Sequence, residues 1–353
     1  MMTPRECVLA AFRREEPDRV PVTASFSPAI KKRFREETGA ENPAEHFGME
    51  MRHVSRGATK LETDFSALHP DLPAEGSRID EWGIGWIRGS THHFEDMSHP
   101  MAAFTRLNEF EAYPYPDVDA PYRYDLSAEV VRDRHARGIA NVAMAGHIFE
   151  RVWGLRGLEN TLMDMMANEK IAASYFDRVT ALVETCARRF VRAGVDVLHT
   201  GDDVATQRGM MMSPELWRRW IKPCLARVIA AAREERRDII VSYHSDGDCR
   251  VILPELIEIG VDVLNPVQPE CMDPAEIKRE YGDRLAFWGT IGTQTTLPFG
   301  SPDEVRAVVK ERIETVGKGG GLLLAPTHLI EPDVPWENIL AFFEAAREFG
   351  TRR

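Results

Sequence analysis

About two thirds of the way along the chain, the stretch Ile239 to Gly247 reads IIVSYHSDG: an apolar run suited to a buried strand, then a histidine, a serine, an aspartate and a glycine. Side chains alternate along a strand, so His244 and Asp246 fall on one side and can share a cation. An imidazole nitrogen with a carboxylate oxygen is a donor mixture compatible with zinc. His328 follows the last apolar run, GLLLAPT (321–327), and in a closed barrel that position faces the same cavity. His244, Asp246 and His328 are therefore the candidate metal ligands; the competing reading is a metal-free network in which His244 hydrogen-bonds the Asp246 or Asp202 carboxylate.

Other chemistry-bearing residues follow apolar runs in the same way. HTGDD (199–203) sets His199 beside adjacent carboxylates. Crowding raises the pKa of one of such a pair, which suits acid and base work, substrate orientation or a metal. The expected split has Asp202 facing the cavity and Asp203 serving loop amides or Arg208. Glu150, after AGHIF, is a further ligand or base, or else pairs with Arg151 or Arg156. Asp202, His199 and Glu150 are thus the candidate catalytic residues. Asn265, Gln268 and Trp288 end later runs as candidate substrate contacts. Met211, within Met210 to Met212, offers a flexible thioether wall over a planar ligand, or simple core filling.

These residues need a scaffold that gathers the ends of many strands. From residue 139 onward one plan repeats: an apolar, β-branched run, a polar cluster, then a helical stretch. The runs IANVAMAG (139–146), VDVLHTG (195–201), IIVSYHS (239–245), VDVLNPV (261–267), LAFWGT (285–290) and GLLLAPT (321–327) alternate with helices and predict βα units on a parallel sheet. Ser213-Pro214, Asp273-Pro274 and Ser301-Pro302 each put a capping residue before a proline suited to a first helical turn. Upstream, TPRECVLAAFRRE reads as a helix, PDRVPV (17–22) leads into a first strand, Pro28 to Thr38 is a second helix, and DEWGIGW (80–86) suits a hairpin. In a parallel barrel the active site forms at the C-terminal strand ends. The expectation is one domain, residues 1–353: a single (βα)8 TIM barrel with N-terminal helical and hairpin decorations.

Bulk properties narrow the partners. A net charge of -12 over 353 residues disfavours nucleic acid and anionic membranes, which need a cationic face. No apolar run nears the roughly 20 residues of a membrane span, and no signal-peptide pattern opens the chain, so a cytoplasmic protein is expected. Five widely spaced cysteines without a C-x-x-C pair give no disulfide or zinc-knuckle framework.

Four segments carry a resemblance: TPRECVLAAFRREEPDRVPV, GDDVATQRGMMMSPELWRRWIKP, the HSDG turn with ILPELIEIGVDVLNPVQPEC, and GGGLLLAPTHLIEPDVPWENILAF. Together they resemble the uroporphyrinogen decarboxylase-like superfamily over nearly the whole chain, which implies a (βα)8 barrel. The decarboxylase branch holds substrate carboxylates with an arginine-rich R-Q-A-G-R segment; this chain has VTASFSPAIKKRF there, although His328 aligns with a histidine of that enzyme. The cobamide-dependent methyltransferase branch carries a zinc motif H-x-C and a distant cysteine. Here the pair becomes His244-x-Asp246 and the distant ligand falls near His328, so harder donors replace thiolates, which argues against thiol activation of the coenzyme-M type.

The resemblance implies a methyltransferase component that demethylates a methoxylated small molecule, aromatic ones included, and passes the methyl to a corrinoid protein. Zinc, and a corrinoid carried by that partner, are the implied cofactors. A homodimer is compatible with this. The alternatives are a cofactor-independent decarboxylase of a small or tetrapyrrole acid, and a non-catalytic barrel that binds a corrinoid or tetrapyrrole.

Overall fold

The structure, a computed structural model, describes residues 1–89 and 95–351. Among these, seven strands form one parallel sheet in chain order: β1 (Met51–Val54), β2 (Ala140–Gly146), β3 (Val197–Gly201), β4 (Ile240–His244), β5 (Val263–Asn265), β6 (Ala286–Trp288) and β7 (Leu322–Leu323). Each run expected after residue 139 supplies one strand. The register pairs His199 with Ser242, Gly201 with His244, and Asn265 with His244, so the polar ends of β3, β4 and β5 meet on one rim.

The first ordered strand is Met51–Val54, not PDRVPV. The PDRVPV segment instead makes isolated bridges at the margins of the sheet. Thr23 N donates to Leu324 O at 3.0 Å and Leu324 N to Pro21 O at 2.9 Å, while Glu50 N donates to Val22 O at 3.1 Å. Residues 21–23 thus bond on one side to the chain just after β7 and on the other to the residue before β1.

Inward side chains of the strands, among them Val142, Val197, Ile240, Val263 and Leu323, pack with Val8 and Phe12 of the helix Pro4–Phe12. That helix plugs one end of the curled sheet, and its Phe12 ring lies 6.5 Å from Trp288. Covering helices bury the opposite faces of the strands, the longest being Glu169–Arg192 and Pro214–Glu235.

The proline-marked helix starts fall where the sequence places them: Ser213 Oγ accepts from Leu216 N at 3.2 Å and Asp273 Oδ1 from Ala275 N at 2.8 Å. Two helices after β2, Phe149–Arg156 and Leu158–Ala167, were not legible as separate elements; they break at Gly157, whose φ of 87° ends the first. Ser77–Ile79, Gly85–Arg88 and Glu95–Ser98 form an antiparallel sheet, with DEWGIGW spanning the first turn. Gly83 sits at φ 77° in that turn, where a Cβ would lie 2.7 Å from the Phe65 ring. No helix among the described residues is long and apolar enough to cross a membrane.

Candidate functional site

A cavity of about 380 Å³ opens at the C-terminal ends of the strands. Its wall includes His147, Glu150, His199, Asp203, His244, Asn265, Trp288 and His328, with Thr23, Ala24 and Ser25 closing one side. The sheet gathers most of these side chains because they end or follow apolar strands that cannot leave the core.

His244 is held by a directional chain. Asn265 Nδ2 donates to Trp288 O at 2.8 Å, which turns Asn265 Oδ1 toward His244 Nδ1, also at 2.8 Å. An amide oxygen only accepts, so Nδ1 carries a proton, and in the neutral ring Nε2 presents its lone pair. That lone pair faces acceptors: Asp203 Oδ1 at 3.6 Å and Asp246 Oδ1 at 3.9 Å. Asp246 Oδ1 is buried and finds no hydrogen-bond partner among the described residues. Burial raises the Asp246 carboxyl; a proton on His244 Nε2 would oppose this, and the charge of Asp203 adds to it.

With the ring neutral, three acceptors this close together are a set that a cation between them would satisfy. Ligand atoms at zinc distances lie about 3.4 Å apart in a tetrahedral site, close to the separations here. The ligand atoms of Asp203, His244 and Asp246 all lie within 4.8 Å of one another, so the donor set fits a divalent metal. His328 lines the same cavity but lies outside that close group. The fixed Nδ1–H is the outer-shell hydrogen bond that metal-bound histidines ordinarily make.

His147, Glu150 and Asp202 form a second cluster of different character. His147 Nδ1 lies 2.7 Å from Gly201 O and 2.5 Å from Glu150 Oε2. Burial opposes charge on this ring, but the hydrogen bond and charge of Glu150, with the charge of Asp202, outweigh it and lift the pKa to about 9. His147 is therefore an imidazolium at neutral pH. Burial alone would raise Glu150; the bond and charge of His147 win and keep it ionised.

The expected split of the two adjacent aspartates is reversed. Asp203 lines the cavity, and Asp202, 1% exposed, lies behind it with Oδ1 accepting from Glu150 N at 2.9 Å. Alternation is the reason: His199 faces inward, and Gly201 and Asp203 continue its phase while Asp202 falls out of it. Burial, outweighing the charge of His147, lifts Asp202 to about 7. Asp203 still serves a loop amide as expected, accepting from Asp246 N at 2.8 Å.

His199 lies 2.6 Å (Nδ1) from Ser242 Oγ and 4.8 Å from the Trp288 ring. Burial, together with any positive charge on the nearby His244, His53 and His147 rings, pushes it well below the ordinary range, so it is neutral. Asn265 and Trp288 line the cavity; Gln268 and Met211 do not. Gln268 Oε1 accepts from Gly247 N at 3.0 Å, bracing the turn after Asp246, and Met211 packs against the core. His53 and His147 reach the cavity without having been singled out by role. His53 carries no signal in the sequence, since Met51–Val54 does not read as a strand there.

Comparison with known proteins adds the lineage. The model of the family described as uroporphyrinogen decarboxylase (URO-D) matches residues 100–349. A methylcobamide:CoM methyltransferase, MtaA, from Methanosarcina barkeri is 32% identical over 163 residues, 46% of this chain and 44% of that protein. A uroporphyrinogen decarboxylase from Coxiella burnetii is 22% identical over 178 residues, 50% of this chain and 46% of its own. The alignments thus span less than half the length of these relatives. A solved structure, a methyltransferase from Methanosarcina mazei, superposes with a TM-score of 0.73 over 99% of both chains at 20% identity, a likeness of fold.

Proposed function

The chain belongs to the uroporphyrinogen decarboxylase (URO-D) family, and on that footing we propose that it is a methyltransferase component that demethylates a methoxylated small molecule and passes the methyl group to a corrinoid protein. The observation that carries this is the acceptor-only face made by His244 Nε2, Asp203 and Asp246, set 6.2 Å (ring to ring) from the His147 imidazolium. Residues 21–23 are taken as the stave that closes the ring as a (βα)8 barrel, and residues 1–353 as one domain.

An ether gives up a methyl cation poorly, because the oxygen that keeps the bonding pair departs as an anion. A zinc held by His244, Asp203 and Asp246, with His328 as a further donor from the rim, would supply Lewis acidity toward that oxygen. The His147 imidazolium, its Nδ1–H bound to Gly201 O, keeps its Nε2 proton for the leaving oxygen, and Glu150 holds it charged until transfer. Asp202 fixes Glu150 through its backbone amide. Neutral His199 and Trp288 form an aromatic floor against which a planar donor can lie. Asn265 keeps His244 in the metal-binding tautomer.

The decarboxylase reading has one specific support, the buried Asp202 with its raised pKa, a carboxyl of the kind that can exchange a proton with a reacting carbon. Against it, the segment that faces the cavity in place of an arginine clamp is Thr23-Ala24-Ser25, and Lys31 and Lys32 are exposed on the following helix. Formation of methylated corrinoid from a methoxylated donor tests the proposal; carbon dioxide release from a cofactor-free acid in its place would favour the second reading.

A further inference from the structure

We propose that a second cavity beside the candidate site is a subsite for a carboxylate on the methyl donor, with Arg56 as the recognising group; this rests on the demethylation reading above. The cavity, of about 570 Å³, lies at the end of β1 and is lined by residues 54–59, Glu81, Arg123, Phe190 and Met144. Met144, on β2, also lines the first cavity, so the two share a wall. On this reading the donor's methoxy group lies near His147 and His244 and its carboxylate beyond Met144 in this space.

The polar groups there are unevenly matched. Arg123 is 2% exposed and fully committed: Nε donates to Gly57 O at 3.0 Å, Nη2 to Glu81 at 2.6 Å, and Nη1 lies 3.5 Å from Asp117. Glu81 is shared, because Arg56 Nη2 also donates to it at 2.8 Å. The other contacts of Arg56 are weak: Nη1 reaches the Cys186 thiol at 3.8 Å, and Nε has no acceptor among the described residues. Nearby, Arg151 lies 3.8 Å from Asp80, whose oxygens already accept from Trp82 N, Ile84 N and Trp86 Nε1.

A guanidinium that shares the one carboxylate it pairs with among the described residues with a better-bonded arginine, and keeps a side-chain exposure of 21%, has donor capacity left for an anion. Its planar fork suits a carboxylate. Phe190 and Met144 supply apolar surface for the body of such a ligand.

The test is calorimetric binding of 4-methoxybenzoate and of its neutral counterpart, 4-methoxybenzamide, to the full chain without any corrinoid protein. Reading binding alone keeps the outcome separate from whether methyl transfer occurs. The acid is expected to bind about tenfold more tightly than the amide, and Arg56→Gln to abolish that preference. Since Arg56 also holds Glu81, folding of the variant is checked by thermal melting. Met144→Trp, which crowds the shared wall and leaves every ion pair intact, is expected to weaken acid binding as an independent measure. Equal binding of acid and amide, a preference that survives Arg56→Gln, or acid binding untouched by Met144→Trp would overturn the subsite.

Discussion

The amide oxygen of Asn265 lies 2.8 Å from His244 Nδ1, and this contact decides what the opposite edge of the ring offers the cavity. With Nδ1 protonated and the ring neutral, Nε2 is a lone pair turned toward two carboxylates, an arrangement that a cation between them relieves. A residue on a neighbouring strand thereby sets the chemistry of one that ends β4.

Asn265→Ala removes the group that fixes the tautomer and leaves the three acceptors in place. Zinc affinity, measured by competition with a chromophoric chelator, should fall about 10- to 100-fold. Asp246→Asn should lower it at least as far, because it removes a ligand charge. Unchanged affinity in both variants would mean that the metal is held elsewhere.

The His147–Glu150 pair gives stability a sign that can be checked. His147 binds its proton more tightly in the folded chain, with a pKa near 9 against an ordinary 6.5. Its contribution is therefore fully present below about 6.5 and is lost as pH rises through about 9. Glu150→Gln removes the charge that outweighs burial, so the ring pKa should drop and the loss of stability between pH 6.5 and 9 should flatten. Urea melts across that range, with the ring followed by NMR, read both effects; an unaltered slope would refute the ion pair.

Gly201→Ala should disrupt the site from behind. Gly201 has φ 152°, and a Cβ there would press on the backbone of His244, with His244 Cα at 2.7 Å and its N and O closer still. The neighbouring strand cannot yield cheaply, so a loss of about 3 kcal/mol is expected from chemical denaturation, with weakened zinc binding alongside. A variant with wild-type stability and metal content would show that β3 and β4 are free to separate.

Much of this architecture was legible because its signals are local. Apolar runs followed by proline-capped helices gave the repeat, and Ser213, Asp273 and Ser301 cap helices where their side chains implied. The N-terminal third was less legible. Met51–Val54 carries an arginine and a histidine inside four residues, and its strand identity comes from pairing with Ala140–Ala143 in space. At the site, alternation puts His244 and Asp246 on one side, and His244 Nε2 and Asp246 Oδ1 lie 3.9 Å apart, whereas Asp203 reads as outward because the sequence does not show where β3 ends and which phase its loop keeps. Arg56 carries no signal, since a partly matched guanidinium is defined only by neighbours such as Glu81 and Arg123, brought together from distant parts of the chain.

The most direct measurement is anaerobic spectrophotometry of a corrinoid protein held as Co(I), mixed with the zinc-loaded protein and methoxylated donors, 4-methoxybenzoate among them. Methylated corrinoid should accumulate with the wild-type protein and form on the order of 100-fold more slowly with His244→Ala. No methylated corrinoid from any donor, or equal rates for the wild type and His244→Ala, would contradict a demethylating site built on His244.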